Sequence, residues 1–315
     1  MKKAQFSMDF TALRYFQETA RCGSIRKASE ALHISASSIS RCISALEHDL
    51  GAPLFERNQK GMKLTAAGNI LAWRTGHLFR DLERIRGEID DLQGLRRGKV
   101  SLYTIEGFIA SFLPTLISDF RMQYPNVLFE VMSASTDGVV EAIVDDVADI
   151  GITFNGPIRS DIVTIFEYSE PLCCLVSASH PMAALSEITL SELITFPFAL
   201  PETSYGLRRM VDDALAAAKL RPQLALNTNS LELAKRLAIT GDAIAFMPSF
   251  MARDEVAAGS LRLIRVASPL FDGARVSVCV HRDRKLSFAS KAFLSSLTEQ
   301  MQSLKAELCA KIGDA

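Results

Sequence analysis

Leu71, Thr75, Leu78, Leu82, Ile85, Ile89 and Leu92 recur at steps of 4, 3, 4, 3, 4 and 3. No other feature constrains the fold of this 315-residue chain as much. A 3.5-residue period held over three heptads needs one continuous helix, because a strand would turn successive members to opposite faces. Thr65 stands where an N-cap belongs, and Arg80, Glu83, Arg84, Arg86 and Glu88 flank the seam. Gly76 and Gly87 weaken such a helix by roughly 1 kcal/mol each, so packing must hold it. The seam can lie against its own domain or against a second copy of the chain. Its place between two differently patterned regions, with the 3.5-residue period kept, predicts a dimerising helix.

The region before the seam reads as short helices with clear punctuation. Asp9 can cap a helix with Phe10, Leu13, Phe16 and Ala20 on its apolar face, closed by Gly23. Ser24 opens a second helix through Leu32, with Ala28 and Ala31 small enough for close packing. After a His33-Ile34 turn, Ser35 caps a third, carrying Ile39, Ile43, Leu46 and Leu50 and ended by Gly51. Two helices joined by a tight turn, the second amphipathic and polar near its start, describe a helix-turn-helix. Pro53-Leu54-Phe55 and Met62-Lys63-Leu64 around Asn58-Gln59-Lys60-Gly61 predict a small hairpin, the wing. Residues 1–99 hold 17 Lys and Arg against 11 Asp and Glu, while residues 100–315 hold 18 against 25. A basic third on an acidic body points to a polyanion as partner of that third alone.

From Val100 the pattern changes. Val100–Thr104, Val127–Ser133, Asp149–Phe154, Leu172–Ser177, Ala243–Met247 and Val276–Val280 read as strands, and 114–124, 137–147, 206–219 and 231–239 as helices. Such alternation predicts α/β lobes with largely parallel sheets. No run of about 18 apolar residues is present, so no membrane span is expected. MKKAQFSMDF carries two lysines with no apolar run behind them, so no secretory signal is expected and the protein is placed in the cytoplasm. Six cysteines form no CxxC pair and have no histidine at zinc-ligand spacing, so they read as reduced structural thiols, with no metal or cofactor expected. Cys173 and Cys174 are adjacent in one strand, which turns their thiols apart. The absence of HExxH, GxSxG and phosphate-loop motifs speaks against an enzyme.

Gly23-Ser24, Ala28, Ala31-Leu32, Ser35, Ile39-Ser40-Arg41, Ile43, Leu46-Glu47, Leu50-Gly51, Leu54-Phe55, Arg57, Leu64-Thr65 and Gly68 together resemble the DNA-binding domain of the LysR-type transcriptional regulators. The remainder resembles that family's periplasmic-binding-protein-like sensor through Leu113-Pro114, Tyr124-Pro125, Asp149, Pro171-Leu172, His180-Pro181, Gly241 and Pro248. The resemblance implies a tetramer on two-fold-related half-sites of double-stranded DNA, with a metabolite between two lobes shifting the bend. The chain departs from the pattern with Ala36-Ser37 where Gln-Pro is usual, and with Cys42 where Gln is usual. Glutamine can read adenine bidentately, so the usual base preference is not carried over. Asp146 replaces a common turn glycine.

The chain is thus expected to hold a winged helix-turn-helix over residues 1–65, a linker and dimerisation helix over 66–97, and a two-lobed α/β sensor over 98–315. Lobe one takes 98–170 and 275–315, and lobe two takes 171–274. Ser35, Ser37, Ser38, Ser40 and Arg41 occupy the first turns of the recognition helix and suit phosphate and base-edge contacts, though the serines can equally be caps. Arg57, Lys60 and Lys63 on the wing suit the DNA backbone or minor groove. Ligands of such folds sit at strand C-terminal ends, which selects Thr104, Glu106, Phe108, Ser133, Ser135, Asn155, Thr203, Tyr205 and Asn229. Glu106 is expected just before the helix that runs to Tyr124, where it would either cap that helix or repel an anionic effector.

Overall fold

The computed structural model describes residues 9–58, 61–92 and 97–313. The chain divides after Arg86 into two compact units.

The first unit opens with α1 (Phe10–Cys22), α2 (Ile25–Leu32) and α3 (Ala36–Leu50). Asp9 caps α1 by accepting from the Thr11 N–H at 2.9 Å, and Ser35 caps α3 through the Ser38 N–H at 3.2 Å. Gly23 and Gly51 close α1 and α3 in the left-handed conformation. Leu13, Phe16, Ala28, Ile39, Ile43 and Leu46 build the core, with Phe16 tilted against Phe55. Two expected core positions stand in solvent instead. Phe10 is 53% exposed because α1 begins there, one turn short of its neighbours, and Ala31 is exposed too.

The strands β1 (Phe55–Asn58) and β2 (Gly61–Leu64) form the antiparallel wing. Glu47 pins its base, since one carboxylate oxygen accepts from the N–H groups of Leu54 (2.7 Å) and Phe55 (3.3 Å). Then α4 (Ala66–Leu92) starts on the Thr65 hydroxyl, which accepts from the Gly68 N–H at 3.0 Å. Gly68 is required for space: a Cβ there would lie 2.1 Å from the Leu54 carbonyl oxygen. The seam of α4 divides. Leu71 and Thr75 are buried in the unit's own core, and the Thr75 hydroxyl is held by the Leu71 carbonyl and by the Gln17 amide. Leu78, Leu82, Ile85 and Ile89 are 38–52% exposed, and the Leu92 side chain lies outside the described residues.

The second unit follows with β3 (Gly98–Thr104), α5 (Glu106–Ser111), α6 (Leu113–Gln123), β4 (Val127–Ser133), α7 (Thr136–Val144), β5 (Ile150–Phe154) and β6 (Ile162–Ser169). The chain crosses to a second lobe with β7 (Leu172–Ser177), β8 (Glu187–Ile188), α8 (Leu190–Leu193), β9 (Phe198–Pro201), α9 (Gly206–Ala217), β10 (Leu224–Thr228), α10 (Leu231–Thr240) and β11 (Ile244–Pro248). A 3-10 turn (Ser249–Ala252), α11 (Arg253–Ala257), β12 (Leu261–Val266) and α12 (Pro269–Asp272) complete it. The chain then returns to the first lobe through β13 (Arg275–His281) and α13 (Phe288–Gly313).

Strand order is β4-β3-β5-β13-β6 in one lobe and β10-β9-β11-β7-β12-β8 in the other. The expectation of largely parallel sheets is corrected to mixed ones. In each sheet the strand that arrives from the other lobe runs antiparallel to both neighbours: β13 between β5 and β6, and β7 between β11 and β12. The two crossings are tied together, the Glu170 N–H donating to the Ala274 carbonyl at 3.0 Å. Phe293, Leu297 and Met301 of α13 are fully buried, Phe293 stacking edge-on against Phe120 and Phe129. Asp146 is left-handed (φ 59°), as a residue replacing a turn glycine must be, and its buried carboxylate pairs with Arg284 at 2.8 Å. Among the described residues no helix is long and apolar enough to cross a membrane.

Candidate functional site

Two surfaces concentrate polar chemistry, one in each unit. On α3 the Ser35 hydroxyl lies 3.1 Å from that of Ser37 and 2.8 Å from that of Ser38, so the helix start presents a hydroxyl cluster. Arg41 follows one turn later, exposed, with its guanidinium 3.5 Å from the Ser38 hydroxyl. Ser37, Arg41, Ser44 and His48 share one exposed face, set opposite the buried Ile39, Ile43 and Leu46 by the helical period. Ser40 is half-buried at the edge of that face. Lys63 is exposed on β2, opposite Glu56 in the ladder. The Arg57 side chain and Lys60 lie outside the described residues.

The second surface is a cleft of about 1170 Å³ in the second unit. Lobe one contributes Glu106, Gly107, Ile109, Ser133, Ala134 and Ser135. Lobe two contributes Glu202, Ser204, Tyr205 and Asn229 from one side, with α10 from Ser230 to Arg236 and the stretch Phe250–Glu255 on the others. Of the nine residues expected at an effector site, the structure brings Glu106, Ser133, Ser135, Tyr205 and Asn229 together here. The other four do not line it. Thr104 and Phe108 are buried, because α5 starts at Glu106 and turns Phe108 inward onto Phe112 and Phe250. Asn155 is in a left-handed turn (φ 48°), its N–H donating to the Arg275 carbonyl at 2.8 Å, and Thr203 is exposed, its carbonyl accepting from Arg209.

Glu106 departs from the capping alternative. It is the first residue of α5, not a cap of the helix that runs toward Tyr124, and its carboxylate reaches the other lobe. One oxygen accepts from the Leu231 N–H at 2.7 Å and the other from the Glu232 N–H at 3.4 Å, which fills the positive N-terminus of α10 with an internal anion. The lobes are fastened elsewhere too. The Thr136 hydroxyl donates to the Phe154 carbonyl and accepts from the Gly206 N–H, both at 3.1 Å, and Arg209 pairs with Asp137 at 2.9 Å. Gly206 permits this approach, since a Cβ there would lie 2.0 Å from the Phe154 oxygen.

Several cleft residues were not anticipated. Glu232, Lys235 and Arg236 share a face of α10 at spacings of 3 and 4, a pattern visible in the sequence but read only as a helix. Lys235 stands between Glu255 (2.7 Å) and Glu232 (2.9 Å), and Glu232 also takes Arg236 at 2.7 Å. Burial works against the Lys235 ammonium, but the hydrogen bonds it donates to Glu255 and Glu232 outweigh it and hold its pKa above the usual lysine value. The Tyr205 hydroxyl donates to the Asn229 carbonyl at 2.6 Å. Its pKa is raised by burial first and then by the charges of Glu106 and Glu202. The strand cysteines stand apart from the cleft lining: burial pushes the Cys173 thiol up to about 11 and the Cys279 thiol up to about 12. Both therefore stay protonated near neutral pH, as structural thiols do.

A capped three-helix unit with a wing, joined by a long helix to a two-lobed sensor with a polar cleft, defines a ligand-responsive DNA-binding regulator. Residues 10–69 match the bacterial regulatory helix-turn-helix proteins of the lysR family, and residues 93–302 match the LysR substrate binding domain. The chain belongs to the LysR family of transcriptional regulators and is not an enzyme. It is 30% identical over 244 residues to the transcriptional dual regulator GltC of Bacillus subtilis, covering 76% of this chain and 81% of GltC. Full-length CbnR, solved in complex with its target DNA, superposes with a TM-score of 0.67 at 23% identity, covering 93% of this chain and 99% of CbnR. The effector binding domain of QuiR in complex with shikimate does so with 0.58 at 18% identity, covering 66% and 98%. At these identities the two structures establish the fold.

Proposed function

We propose that the regulator works in the cytoplasm as a homodimer, assembled further into a homotetramer, and binds double-stranded DNA through α3 and the wing. Residues 1–65 engage DNA, 66–97 dimerise, and 98–315 respond to a small-molecule effector held between lobe one (98–170 and 275–315) and lobe two (171–274). Ser35, Ser37, Ser38 and Ser40 and the helix start meet phosphate, Arg41 reaches a base edge or phosphate, and Arg57, Lys60 and Lys63 meet the backbone beside it. The observation that carries this reading is Arg41, an exposed guanidinium one turn into a capped helix with only a hydroxyl 3.5 Å away. A cation with no carboxylate partner among the described residues, on a helix of groove-reading size, is suited to an external anion.

The test is a gel-shift titration at fixed salt with Arg41→Ala. Operator binding is expected to weaken by about 1–3 kcal/mol with an unchanged circular dichroism spectrum. Equal affinity would remove Arg41 from the interface.

The effector half of the proposal rests on the cleft, which has the volume and mixed lining of a small-molecule site. Effector binding there shifts the balance between two arrangements of the lobes, by as much as its affinities for them differ.

A further inference from the structure

The charges of the cleft are unequal. Five carboxylates line it, from Glu106, Glu202, Glu232, Asp254 and Glu255, against three cations, Lys235, Arg236 and Arg253. Lobe one supplies none of the cations. Lys235 and Arg236 are neutralised by Glu232 and Glu255, which leaves Glu106, Glu202 and Asp254 against Arg253.

Several of the backbone donors that could receive an anion are filled as well. Glu106 occupies the N-terminus of α10, as described above. At α7 the Gly138 N–H is taken by the Ser135 hydroxyl and the Asp137 N–H by the Ser204 carbonyl. At α9 the Gly206 N–H is taken by Thr136. A bare carboxylate entering this cleft would meet surplus negative charge.

The opposite holds for a cation. Glu106 from lobe one and Glu202 from lobe two line the cleft together with Tyr205, which is 8% exposed. The Glu202 side chain is exposed, and among the described residues its carboxylate makes no hydrogen bond or ion pair. Glu106 has lone pairs beyond the two that α10 uses. Serine hydroxyls at 133 and 204 add further groups able to accept from a donor-rich ligand.

We propose that the effector carries a protonated amine together with hydroxyl groups, and that its ammonium seats beside Tyr205 between Glu202 and Glu106. This rests on the cleft being the effector site. Because the two carboxylates belong to different lobes, such a ligand bridges the lobes as it binds.

The experiment uses the full chain and sets of probes matched in size, each an amine, an alcohol and a carboxylate on one framework, beginning with glucosamine, glucose and glucuronate. Thermal shift finds the sets that bind, and calorimetry ranks their members. Within any set that binds, the amine is expected to be roughly tenfold tighter than the alcohol, with the carboxylate weakest. Glu202→Gln, an exposed and conservative change, should erase the advantage of the amine. Glu106→Ala should erase it too and, by freeing the Leu231 and Glu232 N–H groups, should let the carboxylate bind. A carboxylate that binds tightest to the unaltered chain overturns the inference and leaves the effector-site reading standing. An amine advantage that survives both substitutions overturns the seat. No binding by any set overturns the effector-site reading, and this inference with it.

Discussion

Arg41 on α3 and Lys235 on α10 are both cations on one face of a capped helix, and their surroundings are opposite. Arg41 is exposed and touches a hydroxyl at 3.5 Å. Lys235 keeps 12% of its side chain exposed and is clamped by two carboxylates within 3 Å. A surface meant for a polyanion leaves its cations uncompensated, because each pre-formed ion pair would have to be broken to make a phosphate contact. A cleft meant for a small molecule can spend its cations on holding its own walls in place. On the proposed reading a cation serves as a contact in one unit and as scaffolding in the other, and sequence position alone does not separate the two.

The sharpest way to break this contrast is at the helix between the units. Leu78, Leu82, Ile85 and Ile89 stay 38–52% exposed at heptad spacing, although Leu71 and Thr75 of the same seam are buried. Covering four half-exposed aliphatic side chains stabilises an assembly by roughly 1 kcal/mol each. Leu82→Lys is expected to give monomers without unfolding either unit. Operator affinity should fall roughly a hundredfold to ten-thousandfold, since the half-site contacts would no longer act together. Sedimentation that finds the dimer intact would show that the exposed stripe is not its interface.

A smaller effect separates the two cations directly. Lys235→Met leaves Glu255, whose side chain is only 14% exposed, without its partner. Thermal unfolding should report about 1–3 kcal/mol lost from the sensor, the usual cost of stranding a buried polar group. Arg41→Ala should stay within about 0.5 kcal/mol of the parent in the same assay. Equal losses for the two variants would contradict the division into contact and scaffold.

The difference between the units also explains what was legible in the sequence. The helix-turn-helix was read element by element because caps and stops are local chemistry: Asp9, Ser35, Thr65, Gly23 and Gly51 all act where their neighbours in sequence place them. The same local reading put Phe10 on the core face and missed that its helix begins there. In the sensor, six strands are legible, the clearest being runs such as Ile150–Phe154, whose every residue is buried. Edge strands such as β6 and β10 escaped, being half-exposed on both faces and so lacking either a solid apolar run or a clean alternation. The C-terminal helix was missed as well, although Phe293, Leu297 and Met301 repeat at steps of 4. In the cleft, loop positions after strands located Ser133, Tyr205 and Asn229. The Lys235 cluster depends on α10 facing α11 across the chain, and the reach of Glu106 to Leu231 spans 125 residues. No local pattern encodes such a pairing.

The smallest expected effect concerns Glu170, at the crossing between the lobes. Its side chain is 2% exposed, and one carboxylate oxygen accepts from the Ser249 hydroxyl (2.6 Å) and the Ser249 N–H (3.1 Å). Ser249 begins the 3-10 turn that leads into the cleft wall at Phe250 and Met251. Burial raises the pKa of Glu170 above its ordinary value of 4.5, and the Ser249 hydrogen bonds only partly oppose this. A carboxyl group whose native pKa is raised keeps its proton in the folded chain at a pH where the unfolded chain has released it. Stability therefore falls as pH rises from about 4.5 through the raised native value, and levels off above it. Glu170→Gln keeps an acceptor oxygen for both Ser249 donors and removes the ionisation. The variant should lose this part of the pH dependence, and at neutral pH it should be slightly more stable than the parent. Thermal unfolding of both proteins across that window is the measurement. Curves that stay parallel throughout would mean that Glu170 ionises in the folded chain as freely as in the unfolded one, and that the crossing holds no buried charge to relieve.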